Sequence, residues 1–255
     1  MRIALVTGAS SGLGREFVRQ LDGDPSIDAF WAIARRAERL EALAAEIRTP
    51  VRPLPLDLTD PAQLDELAAL LEQERPEVRV LVCAAGFGKM GRPEDISLRD
   101  DMDMIDLDCR AAVAVTRLCL PHLVRGSRVL ELCSTAGFQP VPGMGVYAAS
   151  KAFLIRYTKE LAYELLGSGI RVTAVCPYWV RDTEFIGVAQ QGTRGDFRHF
   201  PLASRARSVV RLSLWGNRLG LWVVTPGIVC TLHRIAAKFI PHAIMVPVLD
   251  LIRRV

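Results

Sequence analysis

Metal-binding and disulfide patterns are missing from this 255-residue chain. Its four histidines, His122, His199, His233 and His242, show no ligand spacing, and its six cysteines include no C-x-x-C pair. Cys83, Cys109, Cys119, Cys133, Cys176 and Cys230 fall mostly on expected strands or helices, so they read as buried, reduced thiols in a cytoplasmic protein. No metal is expected. A net charge of +4 is too slight by itself to call for a nucleic-acid partner. No run approaches about eighteen uncharged apolar residues, which argues against a spanning helix. The first strand pattern begins at residue 2 and leaves no room for a signal peptide. Internal repeats and low-complexity linkers are absent as well.

What the chain does have is apolar sequence, 50% of it, enough for a substantial layered core. Strand-like runs occur at 2–7, 29–34, 51–56, 79–84, 127–133, 170–176 and 220–226. Helical patterns fill 13–21, 36–48, 60–73, 98–123, 147–166 and 203–215, with prolines at the joins. This alternation predicts an α/β fold, a single doubly wound domain over 1–255 with a parallel seven-stranded sheet.

The first unit carries the first chemistry. Arg2-Ile3-Ala4-Leu5-Val6 reads as a strand, Thr7 to Gly14 as a glycine-rich turn, and Arg15 to Leu21 as a helix. Strand, glycine turn and helix make the entry to a Rossmann-type dinucleotide site. There the glycines let backbone approach closely and the helix N-terminus offers free N–H groups to a pyrophosphate. Gly8, Gly12 and Gly14 follow G-x-x-x-G-x-G rather than G-x-G-x-x-G.

The second piece of chemistry is Tyr147 and Lys151, four residues apart and so on one helix face. A free phenol ionises near pH ~10, and an adjacent ammonium favours the phenolate and lowers that value. A tyrosine tuned in this way exchanges a proton with a carbonyl or alcohol oxygen.

Taken in order, these motifs resemble the short-chain dehydrogenase/reductase family over about residues 2 to 183. They are Thr7-Gly8-x-x-x-Gly12-x-Gly14, Asp57-Leu58-Thr59-Asp60, Ala84-Ala85-Gly86, Ser134, Tyr147-x-x-x-Lys151 and Pro177. Ser134 stands thirteen residues before Tyr147, the family's spacing for its catalytic serine. The resemblance implies an enzyme that reversibly reduces a ketone or aldehyde by hydride transfer. Ser134 then positions the carbonyl, Tyr147 is the general acid/base, and Lys151 tunes the phenol and holds the nicotinamide ribose. For the cofactor it implies contacts from Gly8, Ser10, Ser11, Gly12 and Leu13, from Asp57 and Leu58 at the adenine, and from Ala84, Ala85 and Gly86. Tyr147, Lys151, Pro177, Val180 and Thr183 complete that set.

The end of the second strand bears on cofactor choice. Trp31-Ala32-Ile33-Ala34 leads into Arg35-Arg36, with no carboxylate to bind an NAD ribose. The two guanidinium groups suit a 2′-phosphate, so NADP(H) is preferred and NAD(H) is the second choice. Asp108 departs from the family by standing where most members have a catalytic asparagine. Its added charge would stabilise protonated Lys151 and alter the pH profile. Cys83 and Tyr178 are further departures from the family motifs. The rival reading is a weakly active or inactive NADPH-binding regulator.

Residues 184–202, with Gly187, Gly192 and Gly195, look like the family's substrate lid. Tyr178, Trp179, Phe185, Phe197 and Phe200 would suit an apolar small-molecule carbonyl or alcohol substrate. Beyond the last strand, 228–255 is apolar and basic, and from Arg205 onward the only acid is Asp250. Such a tail lies on an anionic membrane surface, packs against a second subunit, or covers the cleft. A homo-oligomer interface is favoured over peripheral membrane contact, because oligomers are the family habit.

Overall fold

A computed structural model describes residues 1–191, 200 and 202–254. Strand β1 (Arg2–Thr7) is buried at every position after the first, because helices cover both faces of the sheet. Its side chains alternate between two cores. Ile3 and Leu5 join Trp31, Ile33 and Leu81 on one side, while Ala4 and Val6 join Phe17, Phe30 and Leu40 on the other.

The chain then alternates α1 (Gly12–Leu21), β2 (Ala29–Ile33), α2 (Ala37–Glu46), β3 (Val51–Leu54), α3 (Pro61–Glu74) and β4 (Glu77–Cys83). Helix α3 starts where its residues dictate. Pro61 needs no N–H partner there, and the Asp60 carboxylate accepts from the Ala62 N–H at 2.9 Å. The second half runs α4 (Leu98–Ile105), a π-turn (Asp106–Ala111), α5 (Ala112–Cys119), a 3-10 turn (Leu120–His122) and β5 (Leu123–Leu132). A 3-10 turn (Thr135–Phe138), α6 (Gly145–Glu164), β6 (Arg171–Val175), α7 (Phe185–Ala189), α8 (Ala206–Arg218) and β7 (Val223–Val224) follow. Two tail helices, α9 (Ile228–Phe239) and α10 (His242–Arg254), end the described chain.

All seven strands are parallel, in the order β3-β2-β1-β4-β5-β6-β7. The winding reverses beside β1, so the crevice beyond the carboxyl ends of β1 and β4 is where a ligand binds in such a sheet.

Four elements differ most from the sequence pattern. The single helix expected over 98–123 is broken by the π-turn and ends before Pro121, whose missing N–H cannot continue it. Strand β5 starts early, with Leu123 paired to Val78. Helix α8 lies three residues later than expected, and β7 keeps only two residues of the 220–226 run because Gly220 turns at φ +73°.

One buried charge stands out in the middle of the sheet. Glu131 on β5 is fully buried, and one carboxylate oxygen accepts from the Thr116 hydroxyl at 2.7 Å while the other has no partner. Burial outweighs the hydrogen bonds from Thr116 and Cys83 and the pull of Lys151, and pushes the carboxyl up to about 7. The fold therefore keeps a proton on Glu131 at pH values where the unfolded chain, with its ordinary value of 4.5, has released it. That stabilisation is complete below pH 4.5, is lost as pH rises through about 7, and stays lost above. The Glu131→Gln protein lacks this titration, so it should gain stability on the wild type across that window. Denaturant unfolding at a series of pH values measures the gap, and a pH-independent gap would refute the assignment.

Candidate active site

At the carboxyl end of β1 the turn is shaped by what a side chain would hit. Gly8 sits at φ +66°, and a Cβ there would lie 2.8 Å from the Ala84 carbonyl oxygen. A Cβ on Gly14 would lie 2.3 Å from the Gly8 carbonyl oxygen, so only glycine lets α1 begin this close under the turn. Thr7 locks the turn to the neighbouring strand end. Its hydroxyl oxygen accepts from the backbone N–H groups of Ala84 and Ala85, both at 3.0 Å. These contacts leave the open N-terminus of α1 facing the crevice, with Ser10, Ser11, Gly12 and Leu13 on its rim.

Beyond the turn, Arg36 reaches the Ser11 hydroxyl at 3.0 Å and the Ser10 hydroxyl at 3.3 Å. It also pairs with Glu184 at 3.1 Å, and Arg39 pairs with the same carboxylate. Arg35 turns the other way. It is 75% exposed in its side chain and lies 3.9 Å from Asp57. Asp57 is itself anchored by the Thr59 N–H at 2.9 Å and hydroxyl at 2.7 Å, which hold its carboxylate below the ordinary range despite partial burial. Leu58 packs into the core beside it. Both arginines line the crevice, Arg36 on the glycine-turn side and Arg35 beside Asp57. Arg39 and Glu184 were not singled out from the sequence, although Arg39 follows Arg36 by three residues and so shares its helix face.

Helix α6 brings the reactive pair to the same crevice. Tyr147 is 6% exposed and Lys151 is 5% exposed. The Lys151 ammonium donates to the Leu132 carbonyl at 3.1 Å, lies 3.3 Å from the Asp108 carboxylate, and sits 5.5 Å from the centre of the Tyr147 ring. Asp108 in turn accepts from the Phe87 N–H at 3.1 Å and the Ser150 hydroxyl at 3.2 Å. Close glycines make room for the pair: a Cβ on Gly86 would lie 2.6 Å from Asp108, and one on Gly137 would lie 2.7 Å from the Lys151 backbone. Ser134 caps the 3-10 turn, its hydroxyl oxygen accepting from the Ala136 N–H at 3.1 Å.

The electrostatics correct one expectation. Burial pushes the Tyr147 phenol up; Lys151 and the Ser134 hydroxyl pull it down, while Asp108 pushes it up again. The net shift is upward because burial outweighs the ammonium that was expected to lower it, and Asp108 adds to the rise. Burial lowers the Lys151 ammonium, but Asp108 and Tyr147 outweigh it and the net shift is upward. Asp108 is pushed up by burial, yet the ammonium and two hydrogen-bond donors favour its carboxylate form. It also lies behind Lys151 and Gly86 with no exposed surface, so it does not line the crevice as the other three residues do.

The crevice opens into a cleft of about 970 Å³. Ala84, Ala85, Gly86, Pro177, Val180 and Thr183 line it beside the residues already described. Aromatic rings close the far side. Phe185 stands 5.4 Å from the Tyr147 ring, and Trp179 packs edge-on to Phe200 at 4.8 Å. Tyr178 lies 6.3 Å from the His233 ring, which α9 contributes. Of the residues expected to form a lid, 184–191, Phe200 and Leu202 are described, while Gly192, Gly195 and Phe197 lie outside the described residues. Gln139 and His233 were not anticipated. Both amide atoms of Gln139 and Nε2 of His233 are buried without a partner at the cleft wall. No sequence pattern marks them, since α9 reaches the cleft only through tertiary packing. Among the described residues no His, Cys, Asp and Glu cluster could hold a metal.

Residues 2–192 match the family model described as short chain dehydrogenase. The chain is 38% identical over 199 residues to sulfoacetaldehyde reductase 2 of Chromohalobacter salexigens, covering 74% of this chain and 77% of that one. It is 35% identical over 195 residues to the NADP-dependent 3-hydroxy acid dehydrogenase YdfG of Salmonella typhi, covering 74% and 77%. Its fold superposes with a TM-score of 0.81 on a short-chain dehydrogenase from Sphingobium yanoikuyae in complex with NADPH, at 28% identity and covering 96% and 95% of the two chains. The protein belongs to the short-chain dehydrogenase/reductase family, a family of oxidoreductases.

Asp108→Asn keeps an acceptor for the Phe87 N–H but removes the charge that offsets Lys151. Tyr147 should therefore ionise at a lower pH in this variant than in the wild type. The difference in tyrosinate absorbance on adding Tyr147→Phe to each protein isolates that residue among the four tyrosines. An unchanged or higher value would show that Asp108 does not govern the phenol.

Proposed function

We propose that this protein reduces the carbonyl of an apolar ketone or aldehyde to the alcohol, reversibly, with NADP(H) as the preferred cofactor and NAD(H) as a weaker one. The observation that carries the proposal is the position of Tyr147. The phenol is buried and its shift favours the protonated form, Lys151 lies at its ring, and Ser134 and the aromatic cleft share the same wall. The relatives named as an aldehyde reductase and an NADP-dependent dehydrogenase support the reaction class and the cofactor.

The residues fit a dinucleotide. Gly8 and Gly14 leave free the space that a Cβ would fill, and the α1 N-terminus suits a pyrophosphate. Arg36 with Ser10 and Ser11 suits a 2′-phosphate, and Asp57 beside Leu58 suits an adenine amino group. When bound, the reduced cofactor supplies the hydride that the reduction requires.

The chain's own residues do the rest. The Ser134 hydroxyl hydrogen-bonds the substrate carbonyl oxygen and positions it. Tyr147 gives that oxygen its phenolic proton, and the shift of the phenol keeps the proton in place until it is needed. Lys151 stabilises the phenolate left behind, and is held ready by Asp108 and the Leu132 carbonyl. Asp108 acts through Lys151 and is a positioning residue. Phe185, Trp179 and Phe200 keep water from the reacting carbonyl and select an apolar substrate. The exposed Leu98, Met102 and Ile105 of α4 offer an apolar face for a homo-oligomer.

Tyr147→Phe keeps the ring and removes the proton donor. Turnover on a panel of apolar ketones and aldehydes should fall by about 10²–10⁴-fold or more, with NADPH binding by fluorescence titration retained. Near-native turnover in this variant would sink the assignment, and a wild type that binds NADPH but turns over nothing on the panel would favour the regulator reading.

The two arginines give a second test. Arg36→Ala should raise the Michaelis constant for NADPH far more than Arg35→Ala does, and leave that for NADH nearly unchanged. Tighter binding of NADH than NADPH by the wild type would overturn the cofactor choice.

A further inference from the structure

Helix α9 has two faces. Ile228, Leu232, Ile235 and Phe239 recur at the spacing of one helical stripe and are 79%, 60%, 51% and 73% exposed. Cys230, which is buried, and His233 at the cleft lie on the opposite side. The apolar surface continues through Ile240 into α10, where Ile244, Val248 and Leu251 again share one stripe and are at least half exposed. No packing requirement of the sheet explains so many large apolar side chains in water on successive helices.

The charges of these two helices are mostly basic. Residues 228–254 carry four Lys and Arg residues, Arg234, Lys238, Arg253 and Arg254, and one acid, Asp250. Arg234 and Lys238 lie four residues apart on one side of the α9 stripe, both exposed, Arg234 also donating to the Val223 carbonyl at 3.4 Å, and no carboxylate occurs anywhere in α9. A second copy of the chain placed on this face by a two-fold axis would bring like charges together with almost no acid to pair them. An anionic lipid surface supplies both missing partners, acyl chains for the stripe and headgroup charge for the cations. The subunit interface favoured from the sequence thus fits this face less well than it fits α4.

We infer that the outer face of α9 and α10 docks the protein on an anionic lipid surface. The apolar stripe enters the headgroup boundary and Arg234 and Lys238 pair with lipid phosphates. Because His233 on the inner face of α9 lines the cleft, docking leaves α9 as the layer between the cleft wall and the bilayer. That last step, delivery of an apolar substrate from the membrane, rests on the reductase reading; the lipid contact does not.

The test is flotation of the full-length protein with vesicles, measured without substrate, so its outcome is independent of turnover. Binding is expected to vesicles containing phosphatidylglycerol, to be weak to pure phosphatidylcholine, and to fall as salt shortens the screening length from about 10 Å to about 3 Å. Arg234→Gln with Lys238→Gln should weaken partitioning on the order of thirtyfold, at the usual contribution of a surface cation. Leu232→Asp with Phe239→Asp should abolish binding while NADPH titration still reports a folded site. If that double variant does not fold, the charge variant keeps the test. Failure to float, equal binding to neutral vesicles, or unchanged binding in the charge variant would each overturn the inference. An oligomer that dissociates in the stripe variant, from a protein that ignores vesicles, would assign the face to a second copy.

Discussion

An ammonium as deeply buried as Lys151 stays charged only if the fold supplies an opposing charge, and here Asp108 does so at 3.3 Å. The pair is what the site is assembled around. Lys151 comes from α6 and also reaches the carbonyl at the end of β5, while Asp108 comes from the π-turn and accepts from the loop after β4. Four separate stretches of chain therefore converge on two side chains. Removing either partner would leave a buried, unpaired charge, a cost of about 3–5 kcal/mol. The same pair bears on the neighbouring phenol: burial raises Tyr147, Lys151 draws it down, and Asp108 offsets part of that pull.

The pair depends on the π-turn, because that extra residue in the turn is what separates α4 from α5 and directs Asp108 inward. A second set of contacts, independent of it, prepares the other end of the crevice. Thr7 ties β1 to the loop after β4, and Gly8 and Gly14 let backbone come close where side chains would collide. Both sets lie at the carboxyl ends of β1, β4 and β5, where the winding of the sheet reverses. The crevice exists because neighbouring helices depart to opposite faces there.

The tail adds a constraint the sheet does not need. One face of α9 is bound into the cleft wall and the other is apolar and open, so whatever covers the outer face is mechanically coupled to the wall. Glu131 is a separate matter. Its proton is held by burial within the sheet and bears on stability rather than on the site.

The order of strands and helices, the glycine turn and the Tyr147–Lys151 pair were legible in the residues, because each rests on local rules. Alternation reports which faces are covered, glycine spacing reports where backbone must approach, and a separation of four reports a shared helix face. Ser134 was legible only through its distance from Tyr147 in a family pattern. The break in the long helix, the different contacts of Arg35 and Arg36, the burial that raises the Tyr147 phenol, and the arrival of Gln139 and His233 at the cleft were not. Each depends on which distant segments the fold brings within a few ångströms, and burial and Coulomb attraction at that range decide what a local pattern leaves open.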